Sequence, residues 1–335
     1  MDLKDKVYSM FILGTAGGGY EKALKRPLGG LIFFTYDIES KEQFKKLISD
    51  IKKKASHPLF LSIDQEGGRV ERTENIHNGK KYLSARFAFE KGGEFLKNQT
   101  KEIARELAEF GINLNFAPCI DVNTNPDNPI IGERSFSNKC EDVIKAEKIV
   151  SETYFENCII PCVKHYPGHG DADTDSHLSL PVIDLPLDEM EKTHIAPFKS
   201  AVENGIEMIM AAHLHCTCFD KETTPASLSL NALSYLRENL HYDRIIISDD
   251  MIMKGVAGYG MTEACIKGIK AGLNMFIYRN SNPETIAMIE NLAEIAQSDN
   301  ELKKNILNSF EKIEALKNKK IKQHIAYSNF VAFLV

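Results

Sequence analysis

Residues 159–165 read Ile-Ile-Pro-Cys-Val-Lys-His, an unbroken apolar run at 159–163 that is followed by two ionisable side chains. Seven other short apolar runs lie along the chain, at 8–13, 30–34, 59–63, 113–117, 207–211, 244–247 and 275–278. Continuous apolar runs of this length are typical of strands that are buried on both faces of a parallel sheet. The sequence therefore predicts eight buried parallel strands.

Amphipathic helical segments separate these runs, at 41–54, 98–110, 188–204, 231–240, 261–271 and 283–297. Strands that alternate with helices form right-handed βαβ units, and eight such units suggest a closed barrel. No linker or break in composition divides the chain. We therefore predict an α/β fold, a single-domain (β/α)8 TIM barrel over residues 1–335, with a helical extension at about 298–335 and no second domain.

The composition disfavours several classes of protein. The 41 Lys and Arg against 47 Asp and Glu give a net charge of -6, whereas nucleic-acid-binding proteins tend to be basic. No apolar run approaches the roughly 18 residues of a membrane span, and the N-terminus does not read as a signal peptide. The 7 scattered cysteines suit reduced thiols. We expect a cytoplasmic protein that needs no nucleic acid, no membrane and no obligate protein partner.

Ionisable residues follow five consecutive predicted strands. In a barrel of this type the residues that follow the strands meet at one face, where active sites are found. The pattern therefore predicts an active site rather than scattered surface charge. The residues in question are Asp64 and Glu66, then Asp121, then Lys164 and His165, then His213, and finally Asp249 and Asp250.

The loop after the fifth strand has the most informative pattern. Its acids Asp171, Asp173 and Asp175 have the spacing of a calcium loop, but Val182 stands where such a loop needs a glutamate. A histidine two residues after an aspartate, as in Asp175 and His177, offers instead a general acid/base with a carboxylate that orients the imidazole. We therefore expect catalysis without a metal or another cofactor.

Four stretches resemble glycoside hydrolase family 3, in its β-N-acetylhexosaminidase branch, and they occur in the family's order. They are Ile-Asp-Gln-Glu-Gly-Gly-Arg-Val at 63–70, Asn-Pro-Asp-Asn-Pro-Ile-Ile-Gly-Glu-Arg-Ser-Phe at 125–136, Lys-His-Tyr-Pro-Gly-His-Gly at 164–170 with Asp-Ser-His at 175–177, and Ile-Ser-Asp-Asp-Met at 247–251. The similarity covers most of the predicted barrel. Tyr166, Ala172 and Asn274 depart from the commoner phenylalanine, threonine and aspartate of the family.

The resemblance implies a role for each matching residue. Asp249 matches the nucleophile that attacks the anomeric carbon, and His177, paired with Asp175, matches the acid/base. The residues that match the binding site of the non-reducing sugar are Asp64, Arg72, Arg134, Lys164 and His165. The expected activity is that of a retaining exo-β-N-acetylglucosaminidase, acting on GlcNAc–1,6-anhydromuramyl fragments in peptidoglycan recycling.

Three alternatives stay open. A neutral imidazole base does not repel a phosphate dianion as a carboxylate would, so a GlcNAc phosphorylase of the same family is possible. A metal-dependent amidohydrolase would use a barrel rich in His and Asp, although its His-x-His pair normally lies on an early strand, whereas His213 and His215 follow the sixth. A non-catalytic sugar-binding protein has no need of both Asp249 and the Asp175/His177 pair.

Overall fold

The computed structural model describes residues 1–173 and 180–334, with the side chains of 329–334 excepted. The strands are β1 (Phe11–Ala16), β2 (Gly30–Phe33), β3 (Phe60–Ile63), β4 (Leu114–Asn115), β5 (Ile160–Tyr166), β6 (Val182–Ile183), β7 (Met208–Ala211), β8 (His215–Cys216), β9 (Ile245–Asp250) and β10 (Met275–Asn280). Eight of them are parallel and close into a barrel in the spatial order β1-β10-β9-β7-β5-β4-β3-β2, and the two short strands β6 and β8 pair outside it. The predicted (β/α)8 TIM barrel is confirmed.

Helices cover the outside of the barrel. They are α1 (Leu3–Tyr8), α2 (Tyr20–Ala23), α3 (Lys41–Lys54), α4 (Ala85–Glu90), α5 (Gly93–Phe110), α6 (Cys140–Glu156), α7 (Leu187–Thr193), α8 (Ala196–Glu203), α9 (Leu230–Ser234), α10 (Lys254–Ala257), α11 (Met261–Ala271), α12 (Pro283–Ser298) and α13 (Asn300–Leu334). Among the helices of the described ranges, none combines the length and the apolar character that a membrane span requires.

The structure differs from the sequence prediction at some element boundaries. The first strand begins at Phe11 instead of residue 8, because residues up to Tyr8 form α1, whose first turn is capped by Asp2. The predicted helix at 188–204 is two helices, α7 and α8, with Pro197 in the first turn of the second. Proline has no backbone N–H and clashes with the preceding turn, so one continuous helix could not pass through it.

The strands are buried along most of their length and become accessible only where they end. In β1, β9 and β10 the first four residues are buried, and the last two are partly or fully exposed. The interior of the barrel is therefore a packed core, and polar side chains have room only at the C-terminal ends of the strands.

Asn274, which was expected to depart from the pattern of the resembling family, connects three elements in front of β10. Its Oδ1 accepts hydrogen bonds from the backbone N of Ile246 (2.9 Å) and from Nη2 of Arg237 (2.6 Å). Its Nδ2 donates to Oγ of Ser309 in α13 (3.0 Å). The amide thus uses both its acceptor and its donor, and an aspartate could not make the donation to Ser309.

Helix α13 crosses the N-terminal end of the barrel and bonds to several units of the fold. Nζ of the buried Lys317 donates to the Leu28 carbonyl oxygen at 3.0 Å. Further contacts of the same helix are Lys319 with Glu207, His324 with the Cys158 carbonyl oxygen, Tyr327 with Asn157, and Ser328 with the Ala108 carbonyl oxygen. The helix therefore joins segments that are far apart in sequence.

Glu147 of α6 is a buried carboxyl group where α6 packs against α8. Neither carboxyl oxygen has a hydrogen-bond partner of normal geometry in the part of the chain that the structure describes. Burial raises the pKa of Glu147 from 4.5 to about 7, although the neighbouring Ser151 and Asn204 side chains lower it. Because folding favours the protonated form, this contribution to stability is fully present below the ordinary pKa and is lost as the pH rises through about 7.

Replacing Glu147 by glutamine removes this titration and keeps the shape of the side chain. Between pH 4.5 and pH 8 the stability difference is expected to move by about 3 kcal/mol in favour of the variant. Unfolding measured across this pH range tests the prediction. Glu152→Gln, at an exposed position of the same helix, is the control and should show no such shift. A difference that stays constant with pH in Glu147→Gln would contradict the argument.

Candidate active site

A cavity of about 380 Å³ opens at the C-terminal ends of the barrel strands. The structure brings most of the predicted site residues together around it: Asp64, Arg72, Arg134, Lys164, His165 and Asp249 all line the cavity. The other two, Asp175 and His177, lie outside the residues that the structure describes.

The acids that follow β3 are held in place by Asn115, at the end of the neighbouring strand β4. Oδ1 of Asn115 accepts from the backbone N of Gln65 (2.9 Å), and its Nδ2 donates to the Gln65 carbonyl oxygen (2.9 Å). The buried side chain of Gln65 accepts in turn from the backbone N of Arg72 (2.7 Å). Since Gln65 is fixed at both ends, Asp64 and Glu66 on either side of it line the cavity.

The glycines of this loop are required by its geometry. Gly67 and Gly68 have φ angles of 92° and 61°, in the left-handed region that side chains rarely adopt. A Cβ atom on Gly67 would lie 2.4 Å from the carbonyl oxygen of Leu83. The Gly-Gly pair of the motif therefore turns the chain so that both acids and Arg72 reach one cavity.

Four charged side chains form one network in the most buried part of the cavity. Nζ of Lys164 donates to Oδ1 of Asp64 (2.7 Å) and lies 2.6 Å from Oε1 of Glu66. Arg134 donates to both carboxylate oxygens of Glu66, from Nε at 2.9 Å and from Nη2 at 2.8 Å. Lys164 and Glu66 expose 3% and 4% of their side chains, so these bonds lie away from bulk water.

The charges of this network stabilise one another. Burial alone would raise the pKa of Glu66, but Arg134 and Lys164 outweigh burial and hold the pKa well below its usual range. Burial alone would lower the pKa of Lys164, but Asp64 and Glu66 raise it above its usual value. Glu66, Arg134 and Lys164 are therefore ionised at neutral pH, and the oxygens and N–H groups of the network can bind several sugar hydroxyls.

Asp121 organises the histidines of the β5 loop. Its Oδ2 accepts a hydrogen bond from Nδ1 of His165 at 2.7 Å, and its Oδ1 accepts one from the backbone N of His169 at 2.7 Å. With Nδ1–H assigned to this bond, Nε2 of His165 is the acceptor; it lies 3.4 Å from Nη2 of Arg134. Burial would raise the pKa of Asp121, but His165 holds it well below its usual range. Asp121 therefore fixes the ring that faces the cavity.

Cys119, Asp121 and His165 place three potential metal-ligand atoms within 4.8 Å of one another. The thiol of Cys119 donates to Oδ2 of Asp121 (3.2 Å), and burial raises the pKa of this thiol well above its usual value. A protonated thiol is a poor metal ligand. A hydrogen-bond network explains this cluster without an ion.

The His-x-His pair that a metal enzyme would use bonds to the loop at 224–227. Nδ1 of His213 lies 2.7 Å from Oγ of Ser227, and Nδ1 of His215 lies 3.2 Å from the carbonyl oxygen of Thr224. One ring nitrogen of each histidine therefore already has a hydrogen-bond partner in the protein.

Asp249 lies near the end of β9, on the wall of the cavity. Its Oδ1 accepts from the backbone N of Asp250 at 2.7 Å. Burial would raise the pKa of Asp249, but His165, His213, this N–H group and Lys164 together lower it. The carboxylate is thus ionised at neutral pH and held by a strand, as a nucleophile requires.

Asp250 faces the neighbouring strand β10. Its Oδ1 accepts from the backbone N of Arg279 (3.2 Å), and its Oδ2 lies 3.2 Å from Nε of the same residue. Burial raises the pKa of Asp250 to about 6, although Arg279 lowers it. The two consecutive acids therefore have different environments, with the pKa of Asp249 lowered and that of Asp250 raised.

Glu66, Phe34 and Arg279 are among the cavity residues for which no specific role was predicted. Side chains alternate in direction along an extended strand end. The two-residue spacing of Asp64 and Glu66 was therefore the signal that could have placed Glu66 on the same side as Asp64. Phe34 belonged to the predicted strand 30–34, but β2 ends at Phe33 and Phe34 lines the cavity. Arg279 lies one residue beyond the predicted eighth strand, and the longer β10 brings it to the cavity.

Comparison with known proteins shows similarity along most of the chain. Residues 4–316 match the family described as "Glycosyl hydrolase family 3 N terminal domain". The beta-hexosaminidase of Haemophilus influenzae is 32% identical over 279 residues, which cover 80% of this chain and 78% of that protein. Beta-hexosaminidase A of Pseudoalteromonas piscicida is 31% identical over 269 residues, which cover 74% of this chain but only 45% of that protein.

A solved structure with the same fold is the glycoside hydrolase family 3 beta-N-acetylglucosaminidase from Paenibacillus sp. str. FPU-7. It aligns with a TM-score of 0.89 and 30% sequence identity. The alignment covers 98% of this chain and 63% of the Paenibacillus chain. The chain therefore spans less than two thirds of that protein and less than half of the Pseudoalteromonas protein.

Proposed function

The chain belongs to glycoside hydrolase family 3, a family of glycosidases, and on that premise we propose that it is a retaining exo-β-N-acetylglucosaminidase. The observation that carries the proposal is the ionised Asp249 beside the buried network of Asp64, Lys164, Glu66 and Arg134. A carboxylate nucleophile next to a set of fixed polar groups is what cleavage of a bound sugar at its anomeric carbon needs.

The proposed reaction has two steps. In the first, a carboxylate oxygen of Asp249 forms a bond to the anomeric carbon while the glycosidic C–O bond breaks, and His177 gives its proton to the leaving oxygen. In the second, His177 takes a proton from water, which attacks the anomeric carbon and releases the sugar from Asp249. Two inversions at this carbon retain its configuration. Asp175 is the positioning residue that orients the imidazole and stabilises its charged form.

The charged network supports an exo mode of attack. Within the described residues, Lys164, Glu66 and Arg134 expose only 3%, 4% and 12% of their side chains, so these groups form a buried end of the cavity. A terminal sugar can enter with its hydroxyl groups toward the network. Its glycosidic oxygen then faces the open side of the cavity, where the rest of the substrate remains.

We further infer that the natural substrates are GlcNAc–1,6-anhydromuramyl fragments of peptidoglycan, degraded in the cytoplasm during recycling. The motif resemblance supports this choice of substrate. The seven cysteines, all within the part of the chain that the structure describes, are free thiols, in line with a reducing compartment.

The purified protein is expected to cleave an aryl β-N-acetylglucosaminide about 100-fold or more faster than the matching aryl β-glucoside. The glucoside lacks the N-acetyl group, and a site built to bind this group would be left with unpaired buried polar atoms. Chromogenic release from both substrates, with and without EDTA, measures this. Equal rates would contradict the proposed sugar specificity, and loss of activity with EDTA would favour a metal enzyme. GlcNAc-1-phosphate formed in phosphate buffer would show phosphorolysis instead of hydrolysis.

A further inference from the structure

A histidine outside the cavity is held between two carboxylates of different elements. Nδ1 of His77 lies 2.7 Å from Oε1 of Glu71, and its Nε2 lies 2.7 Å from Oε2 of Glu106. Glu71 belongs to the loop after β3, whereas Glu106 belongs to α5. The side chains of Glu71, His77 and Glu106 are only 2%, 8% and 13% exposed. His77 therefore joins the loop to the helix through bonds that are shielded from bulk water.

The two hydrogen bonds of His77 require two protons. An ionised carboxylate only accepts hydrogen bonds, and a neutral imidazole carries a single N–H group. Both bonds are therefore formed when Glu71, His77 and Glu106 together hold two protons. Burial raises the pKa of Glu71, although the bonds from His77 and from the backbone N of Tyr82 lower it. Because charge-assisted hydrogen bonds are shorter and stronger than neutral ones, these three side chains form a strong bridge between the loop and α5.

The bridge also holds the two ends of the loop together. Oε2 of Glu71 accepts a hydrogen bond from the backbone N of Tyr82 at 3.2 Å. The carbonyl oxygen of Tyr82 accepts in turn from the backbone N of Gly68 at 3.0 Å. The rings of His77 and Tyr82 pack edge to face, with 5.1 Å between their centroids. The glycine turn, Glu71 and Tyr82 are thus connected to one another, and His77 connects all of them to α5.

Arg72 directly follows Glu71 and lines the cavity. Its backbone N donates to Oε1 of Gln65 at 2.7 Å, so its main chain is held from two sides. Its guanidinium is held more loosely, with Nη2 at 4.0 Å from Oδ2 of Asp64 and the group lying 5.5 Å from the centre of the Phe34 ring. Within the described residues, the buried Nε of Arg72 has no hydrogen-bond partner. The direction of this guanidinium therefore depends mainly on the main chain that carries it.

We propose that His77 is a positioning residue for the binding of the terminal sugar. Together with its two carboxylate partners, it fixes the main chain that precedes Arg72, so that the guanidinium faces the sugar. Arg134 needs no such support, because its guanidinium has close bonded partners of its own. For Arg72 the precision must come from the groups that support its backbone. This inference rests on the proposed function, because the sugar is the substrate of that reaction.

His77→Ala and Glu106→Ala each break the bridge between the loop and α5. Both should raise KM for the aryl β-N-acetylglucosaminide about tenfold, the effect of one charge-assisted hydrogen bond, while kcat changes little. The matched control is Glu102→Ala, one turn earlier on the same helix. Glu102 is 58% exposed and pairs with Lys80 of the same loop at 3.1 Å. Because an exposed ion pair contributes little, this control should keep the wild-type KM.

A double-mutant cycle tests whether the bridge acts through Arg72. Arg72→Ala alone should lower kcat/KM by about tenfold or more, because it removes a charged donor from the cavity. In the Arg72→Ala background, Glu106→Ala should have almost no further effect, since no guanidinium is left to be misplaced. If the bridge only stabilised the fold, Glu106→Ala would lower the melting temperature and leave KM unchanged. If it shaped the whole loop, the two losses would be independent and would multiply.

The outcomes separate this inference from the proposed function. Independent losses in the cycle, a wild-type KM in Glu106→Ala, or a wild-type kcat/KM in Arg72→Ala would each overturn the positioning role and leave the proposed function standing. If the wild type does not cleave the aryl glycoside, the proposed function fails and this inference fails with it. If His77→Ala does not fold, the cycle with Glu106→Ala still decides, because that variant keeps the bond between His77 and Glu71.

Discussion

Replacement of Asp249 by alanine is expected to lower turnover of an aryl β-N-acetylglucosaminide by about 10³-fold or more, while the barrel stays folded. In the proposed mechanism, no covalent glycosyl-enzyme can form without this carboxylate. The fold should tolerate the change, since Oδ1 of Asp249 bonds only to the N–H of the next residue among the described contacts. Steady-state kinetics and a circular dichroism melting curve measure the two effects.

The space left by the missing carboxylate offers a second readout. Azide can enter it and attack a substrate with a good leaving group from the face that Asp249 occupied. A single displacement inverts the anomeric carbon, so the product should be the α-glycosyl azide. Asp243→Ala is the control, because Asp243 is 93% exposed and precedes the opposite end of β9; it should keep normal activity. Turnover of Asp249→Ala within tenfold of the wild type would exclude Asp249 as the nucleophile.

His177→Ala is expected to separate the two proposed steps. Protonation of the leaving oxygen matters little for a good leaving group such as dinitrophenolate, whereas activation of water is needed for every substrate. The variant should therefore lose about 10²- to 10⁴-fold in kcat/KM with poor leaving groups. With dinitrophenyl glycosides it should show a burst as sugar accumulates on Asp249. Rapid-mixing kinetics and mass spectrometry of the intact protein measure both effects.

Azide should rescue this variant with the opposite stereochemistry. It attacks the glycosyl-enzyme without a general base, so two displacements give the β-glycosyl azide. Asp175→Ala should resemble His177→Ala but with a smaller loss, because the imidazole remains and is only poorly oriented. Equal slowing of poor and good leaving groups, with no effect of azide, would place the acid/base elsewhere. Asp173 and His169 are then the next candidates, although burial lowers the pKa of His169 to about 4, which makes it a poor acid at neutral pH.

Much of the barrel could be predicted from the sequence, because strands buried on both faces must be apolar along their whole length. Each of the eight predicted runs contains or overlaps one barrel strand. Boundaries were less predictable where polar residues continue a strand. Asp250 and Asn280 end β9 and β10, but their side chains carry no apolar signal. The two-stranded sheet of β6 and β8 was missed, since two-residue strands have too few positions to show a period.

The resemblance to glycoside hydrolase family 3 that the motifs indicated is confirmed by the match over residues 4–316. Strand ends identified the acids and bases that meet in the cavity, because parallel strands bring their carboxyl ends to one face. The partners of these side chains were not predictable. Glu66 contacts Arg134, which is 68 positions away along the chain, and such a contact depends on how two loops fold over the barrel. The spacing of the two residues in the sequence does not indicate this contact.

Because α13 crosses the N-terminal end of the barrel, its local unfolding is coupled to the unfolding of the barrel. Local unfolding of part of a structure requires little free energy only when few buried groups lose their partners. If α13 detached, the buried Lys317 ammonium would lose its bond to the Leu28 carbonyl oxygen, and Asn274 would lose its acceptor on Ser309. These contacts belong to the beginning and the end of the barrel sequence. The helix and the barrel should therefore behave as a single cooperative unit, with no separate subglobal unfolding of α13 at lower free energy.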